Sequence, residues 1–268
     1  MSNIYIYIFI ELFLYFRILM KQIFTMKLVT SLLGIFHLSV CLNQHAVEGI
    51  SLNGATSLSR VGGGSSCVLF FTGGSNLFQS SIYNEFIQEM ESRDIDVYDV
   101  PFQYQISQEN IDDLYSKYKY QYSSVNVMGH SSGCTTLLNQ CCKLDGIKHV
   151  FLLDPVNTKF SKDKWNINGR FESLSFIRAM NSYKITLDPF GLPFIPIFKL
   201  TRENLNSDVT GIWELDINNY GHSDILNRPL ADFMHNTRLS VGNKNRGVES
   251  KREYVDTILS FMETFIED

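Results

Sequence analysis

Gly129-His130-Ser131-Ser132-Gly133 places a serine between two glycines, directly after the apolar stretch Val125 to Met128 and before the apolar-periodic segment Cys134 to Cys142. A serine in a sharp strand-to-helix turn is held in a strained backbone conformation, and small residues two before and two after let strand and helix approach. Strain of that kind concentrates where chemistry is done, here nucleophilic attack by a hydroxyl. A G-x-S-x-G match arises by chance roughly 0.1 times in a chain of this size and composition, so its context must carry the argument.

A serine hydroxyl is a poor nucleophile at neutral pH. It needs a histidine base, and that histidine needs a carboxylate to fix its tautomer and stabilise its cation. With an elbow serine the expected chain order is Ser, acid, His. His222 lies in the turn-like Asn219-Tyr220-Gly221-His222-Ser223-Asp224, shortly after the last predicted strand, and is the expected base. His235, within Leu230 to His235, reads as an exposed helix position. Two near-identical segments offer the acid, Leu153-Asp154-Pro155-Val156 and Leu187-Asp188-Pro189-Phe190. Asp154 directly ends an apolar strand and is preferred, with Asp188 the alternative; Glu214, Asp216 and Asp224 are weaker candidates. Each Asp-Pro also reads as an ordinary turn. The oxyanion hole is expected from the Ser132 amide and one from the loop Thr72 to Asn76, where Gly73 and Gly74 let the backbone come close to a substrate.

These residues need a scaffold that brings strand ends together. Cys67 to Phe71 reads as a buried strand, Ile82, Phe86 and Met90 recur at helical spacing, and Asp94 to Val100 reads as a strand. Ser107 is a candidate N-cap for a helix with Glu109, Asp112 and Asp113 in its first turn and Lys117 and Lys119 in its last, an order that suits the helix dipole. After the elbow come strands at Val150 to Leu153, Leu174 to Ala179 and Gly211 to Leu215, then a closing helix with Tyr254, Val255, Ile258, Leu259, Met262, Phe265 and Ile266 on one face. Alternation of this kind predicts the α/β class: a mostly parallel central sheet with helices on both faces, and ligands bound beyond the carboxyl ends of the strands.

The 268 residues, 44% hydrophobic, suffice for one such domain over 65–268, preceded by a linker or short edge strands over 43–64 and a leader. A net charge of -5 and the lack of a basic stripe argue against nucleic acid as a partner. The five cysteines show no metal-ligand spacing, so neither zinc nor a disulfide framework is expected. Residues 1–42 hold two apolar runs, Ile4 to Phe16 and Leu28 to Leu42. The second is shorter than the roughly 20 residues that cross a bilayer and fits a signal peptide, with Lys27 as the positive region and Ser39 and Cys41 before a cut. Met26 is then a candidate start. The expected destination is the secretory pathway or the exterior; a signal anchor tethering the protein to a membrane, or a plastid, is the alternative.

The chain from about 67 to 266 resembles the chlorophyllases, esterases of the α/β-hydrolase fold that cleave the phytyl ester of chlorophyll. The likeness rests on the G-H-S-x-G elbow, Asp-Pro-Val at 154–156, and Tyr220-Gly221-His222-Ser223-Asp224-Ile225-Leu226, similar to that family's Y-G-H-x-D-x-L segment. The resemblance implies Ser131 as nucleophile, Asp154 as acid and His222 as base, acting on a lipophilic ester without a cofactor. The chain departs from the family at Ser132 and Cys134, where Arg and Gly are typical, and at Thr72-Gly73, where His-Gly is typical. Those positions are expected around the leaving-group and acyl pockets. The aromatic-rich stretch Pro189 to Phe198 reads either as a hydrophobic mouth or as a buried loop. A general lipase or short-chain esterase, or a catalytically silent binder of lipid or protein on the same fold, are the alternatives.

Overall fold

The computed structural model describes residues 65–73, 80–100, 108–141, 146–157, 164–167, 171–183, 199–207, 211–236, 240–243 and 247–266. The leader, Gly74, Ser107, Asp188 and the stretch 189–198 lie outside the described residues.

Six strands form one parallel sheet: β1 (Ser66–Phe71), β2 (Asp96–Asp99), β3 (Ser124–His130), β4 (Ile147–Leu153), β6 (Ser173–Ala179) and β8 (Ile212–Ile217), in the order β2-β1-β3-β4-β6-β8. Every neighbouring pair is parallel. The inner strands are buried along almost their whole length because both of their faces are covered. Cys67, Leu69 and Phe71 of β1 share a core with Val125, Val127, Leu152 and Phe176, and with Ile111 and Tyr115 of helix α2 (Gln108–Lys119) and Leu137 of α3 (Gly133–Cys141). Phe70, which alternates to the opposite face, meets Tyr83 and Phe86 at ring-centroid distances of 5.1 and 6.3 Å. Phe86 belongs to α1 (Asn84–Ser92), which follows a 3-10 turn at Ser80–Tyr83. The closing helix α5 (Val248–Ile266) buries Tyr254, Val255, Ile258, Leu259, Met262 and Ile266, the expected face apart from half-buried Phe265.

Helices thus cover both faces, and with the elbow between β3 and α3 this is the α/β-hydrolase fold. Two three-residue strands, β5 (Trp165–Ile167) and β7 (Leu205–Ser207), pair separately in parallel and were not expected. The end of the chain also holds α4 (Arg228–Asn236), which follows the His222 loop. Cys67 and Cys134 are buried and free, and burial pushes the Cys67 thiol up to about 12, a small apolar role. No helix among the described residues is long and apolar enough to cross a membrane.

Candidate active site

The elbow is as tight as its glycines require. A Cβ on Gly129 would lie 2.8 Å from the Cys134 backbone, and one on Gly133 would lie 2.4 Å from the Phe71 carbonyl oxygen. Helix α3 therefore starts almost in contact with β1 and β3, and any side chain at either position would push it away. Ser131 sits at φ 57°, the left-handed region that a non-glycine residue enters only under constraint. Its N–H donates to the Leu153 carbonyl at 3.1 Å and its own carbonyl accepts the Val156 N–H at 3.2 Å. Those two bonds lash the elbow to the end of β4, where Asp154 stands.

Asp154 also takes a positive φ, 42°, and is 1% exposed. Its Oδ1 accepts the Ala179 N–H at 3.1 Å, and its Oδ2 accepts the Ser182 hydroxyl at 2.6 Å and the Nδ1 of His222 at 2.5 Å. On the other side of the ring, His222 Nε2 lies 2.8 Å from Ser131 Oγ. A carboxylate only accepts, so it holds the proton of His222 on Nδ1 and leaves Nε2 as an acceptor for the serine O–H. Burial raises the Asp154 carboxyl pKa, but hydrogen bonds from His222 and Ser182 and the nearby His222 charge outweigh this, and the group is held below the usual carboxylate value.

The loop carrying His222 is braced from three sides. Asp224 Oδ2 accepts the Gly221 N–H at 2.7 Å and the Asn243 N–H at 2.8 Å, a clamp rather than a catalytic acid. Asn181, just beyond β6, donates its N–H to the Tyr220 carbonyl at 2.8 Å. The Tyr220 ring stacks on Tyr254 of α5 at 4.5 Å. Glu214 and Asp216 are likewise excluded as the acid partner, since both are paired with Arg178 at 2.6 Å.

Three expectations need revision. His235 is buried, 8% exposed, because α4 turns Leu230, Ala231 and His235 inward, and its Nε2 lies 3.1 Å from Asp224 Oδ1. The Gly73 N–H donates to the Tyr83 hydroxyl at 3.1 Å, so Gly73 shapes the oxyanion-side turn without offering a donor to substrate. Gly74, the other glycine expected there, lies outside the described residues. Cys134 does not face a substrate pocket: it is fully buried, and its thiol bonds the carbonyls of Gly129 at 3.0 Å and Leu153 at 3.6 Å. The donation from Ser182 to Asp154 carries no signal in the local sequence.

Tyr83 and His130 were also missed. His130, immediately before the nucleophile, places Nδ1 2.8 Å from the Tyr83 hydroxyl and Nε2 3.1 Å from the His222 carbonyl oxygen. Its ring lies 4.8 Å from that of His222. Burial, and next the charge of His222, lower its pKa from the ordinary imidazole value of 6.5 to about 3, so it is neutral throughout the physiological range. The unfolded chain takes up this proton below about pH 6.5 whereas the folded protein refuses it until about pH 3, so folding stability must fall as pH drops through that window. Urea denaturation from pH 7 to pH 4 is expected to show this loss, up to roughly 1.4 kcal/mol per pH unit for one proton. His130→Gln should flatten that slope, and an unchanged slope would contradict a neutral buried His130.

Among the described residues no group of three or more His, Cys, Asp or Glu is placed to hold a metal ion. No protein-family profile matches the chain, and no curated protein is similar to it in sequence. Solved structures similar to it include the phospholipase PlaB from Legionella pneumophila, at 15% identity and TM-score 0.28 over 34% of this chain and 25% of that one. The esterase domain of a Rhodothermus marinus protein is similar at 11% identity and TM-score 0.40, covering 67% of this chain and 87% of the domain. Est1E from Butyrivibrio proteoclasticus is similar at 11% identity and TM-score 0.37, covering 65% and 86% respectively. The chain thus spans a quarter of the length of the phospholipase. Likenesses this distant assign no chemistry.

Proposed function

We propose that this chain is a serine-type ester hydrolase acting through Ser131, His222 and Asp154. The observation that carries the reading is the unbroken path from Asp154 Oδ2 through the His222 ring to Ser131 Oγ, 2.5 and 2.8 Å long. Ser131 Oγ attacks the ester carbonyl while His222 Nε2 takes its proton. Asp154, ionised and tied on both oxygens, stabilises the imidazolium that results. The Ser132 amide and a further amide of the loop beyond Gly73 receive the developing oxyanion. His222 returns the proton to the leaving alcohol, and water then releases the acyl group by the same steps in reverse roles. A non-enzymatic binder would have no use for the strained Ser131 and a buried carboxylate aimed at the base, which disfavours the catalytically silent reading.

The substrate we propose is a lipophilic ester, with chlorophyll as the specific form. This rests on the likeness of the elbow, Asp-Pro-Val and Tyr-Gly-His segments to chlorophyllases, and on the apolar, aromatic-rich composition of Pro189 to Phe198. Purified protein incubated with chlorophyll and with p-nitrophenyl esters of increasing acyl length tests it, with Ser131→Ala as the blank. Chlorophyllide and phytol are expected with wild type only. Turnover confined to the short acyl esters would replace this substrate with that of a general esterase.

A further inference from the structure

Three segments that must stay in register for the proposed hydrolysis leave from different strands: the loop after β1, the elbow after β3 and the loop after β8 that bears His222. One hydrogen-bonded path connects all three. The Gly73 N–H meets the Tyr83 hydroxyl at 3.1 Å, that hydroxyl meets His130 Nδ1 at 2.8 Å, and His130 Nε2 meets the His222 carbonyl oxygen at 3.1 Å.

The chemistry of the end groups fixes the direction of every link. A carbonyl oxygen only accepts, so His130 Nε2 carries the proton and donates to His222. In a neutral imidazole Nδ1 is then an acceptor, and the Tyr83 O–H must donate to it. That leaves the Tyr83 oxygen to accept the Gly73 N–H. No link conflicts with another, and both side chains are buried, Tyr83 at 1% and His130 at 3% exposure. Burial keeps the phenol protonated, well above its ordinary pKa, as the donor role requires. Protonated His130 would turn its Nδ1 into a donor and reverse the Tyr83 link.

We propose that Tyr83 and His130 are positioning residues, a relay that holds the oxyanion-side turn and the backbone of the base residue at a fixed separation on either side of Ser131. The proposal rests on the hydrolase reading above. Neither residue touches substrate, and each acts through the peptide it holds. The spacing at Gly73 shows how tight the assembly is: a Cβ there would lie 3.0 Å from both the Ser131 Cβ and the Tyr83 hydroxyl, and 3.2 Å from His130 Nδ1. If the relay is cut, the Gly73 peptide and the His222 peptide lose their common reference, and a misplacement of about 1 Å in a reacting constellation costs on the order of a hundredfold in rate.

Tyr83→Phe removes the hydroxyl without changing shape. His130→Gln keeps an amide N–H that can reach the His222 carbonyl but gives up Nδ1, so both variants cut the same link. The test is hydrolysis of p-nitrophenyl butyrate by wild type, each variant and the double variant, with kcat referred to sites titrated by a fluorophosphonate and folding followed by thermal melts. Each single variant is expected to lose about tenfold to a hundredfold in kcat with KM within about twofold, and the double variant to be no worse than the weaker single one. Effects that multiply in the double variant, a kcat for Tyr83→Phe within about twofold of wild type, or failure of both variants to fold would overturn the relay. Wild type that neither hydrolyses esters nor reacts with the fluorophosphonate removes the hydrolase reading and the relay together. Active wild type beside an indifferent Tyr83→Phe removes the relay alone.

Discussion

Ser131→Ala is expected to lower kcat on any ester the protein turns over by about 10⁴ to 10⁶, while KM changes little and the fold is retained. Ser131 Oγ stands at the carboxyl end of β3, 2.8 Å from His222 Nε2. Alanine removes the attacking atom but leaves the backbone amides proposed to receive the oxyanion, so a residue of rate above that in water should remain. Serine at φ 57° pays a conformational cost that alanine shares, so the substitution relieves no strain and melting temperature should hardly move. A variant retaining a tenth or more of wild-type kcat would mean that another nucleophile does the work.

Asp154→Asn is expected to cost about 10⁴ in kcat, equivalent to roughly 5.5 kcal/mol in the barrier. Three donors converge on this carboxylate: the Ala179 N–H, the Ser182 hydroxyl and His222 Nδ1. An asparagine has one acceptor oxygen and must aim its NH₂ at one of them. With the oxygen kept on the Ala179 N–H, the NH₂ faces His222, drives the ring proton to Nε2 and presents Ser131 with a donor where it needs an acceptor. Asp188→Asn is expected to leave kcat within about twofold, and the opposite ranking of the two variants would move the acid to Asp188. Ser182→Ala should fall between them, because it removes one donor to Asp154 without altering the charge.

How much of this was legible in the sequence follows from how local each signal is. The elbow is a five-residue pattern whose glycines and serine are set by one turn, and strand ends mark Asp154 and the His222 loop at short range. The apolar stretches Cys67 to Phe71 of β1 and Val150 to Leu153 of β4 announce themselves because both faces of each strand are buried. The supporting shell is different. Tyr83 reads as one more apolar residue before α1, and nothing nearby in sequence reveals that its hydroxyl reaches His130, 47 residues on. His130 was visible only as a letter of the elbow motif, with nothing to show what its ring meets. Ser182 lies 28 residues beyond Asp154 and could be found only once β6 was known to run beside β4. His235 misleads for the same reason: its helical position suggested solvent, whereas α4 packs inward and Asp224 meets its ring. Side chains that bond across strands carry no periodic signal, and three-residue strands such as β5 and β7 are too short to carry one.

The account stands on Ser131 being activated by His222. The most direct measurement treats native protein with a fluorophosphonate, then locates the adduct by intact-mass and peptide mass spectrometry, with Ser131→Ala and His222→Ala alongside. One phosphonyl group on Ser131 in wild type, none in Ser131→Ala, and labelling slowed by at least about a hundredfold in His222→Ala is the predicted result. Folded wild type that takes up no label, or takes it up on another residue with Ser131 unmodified, would contradict it.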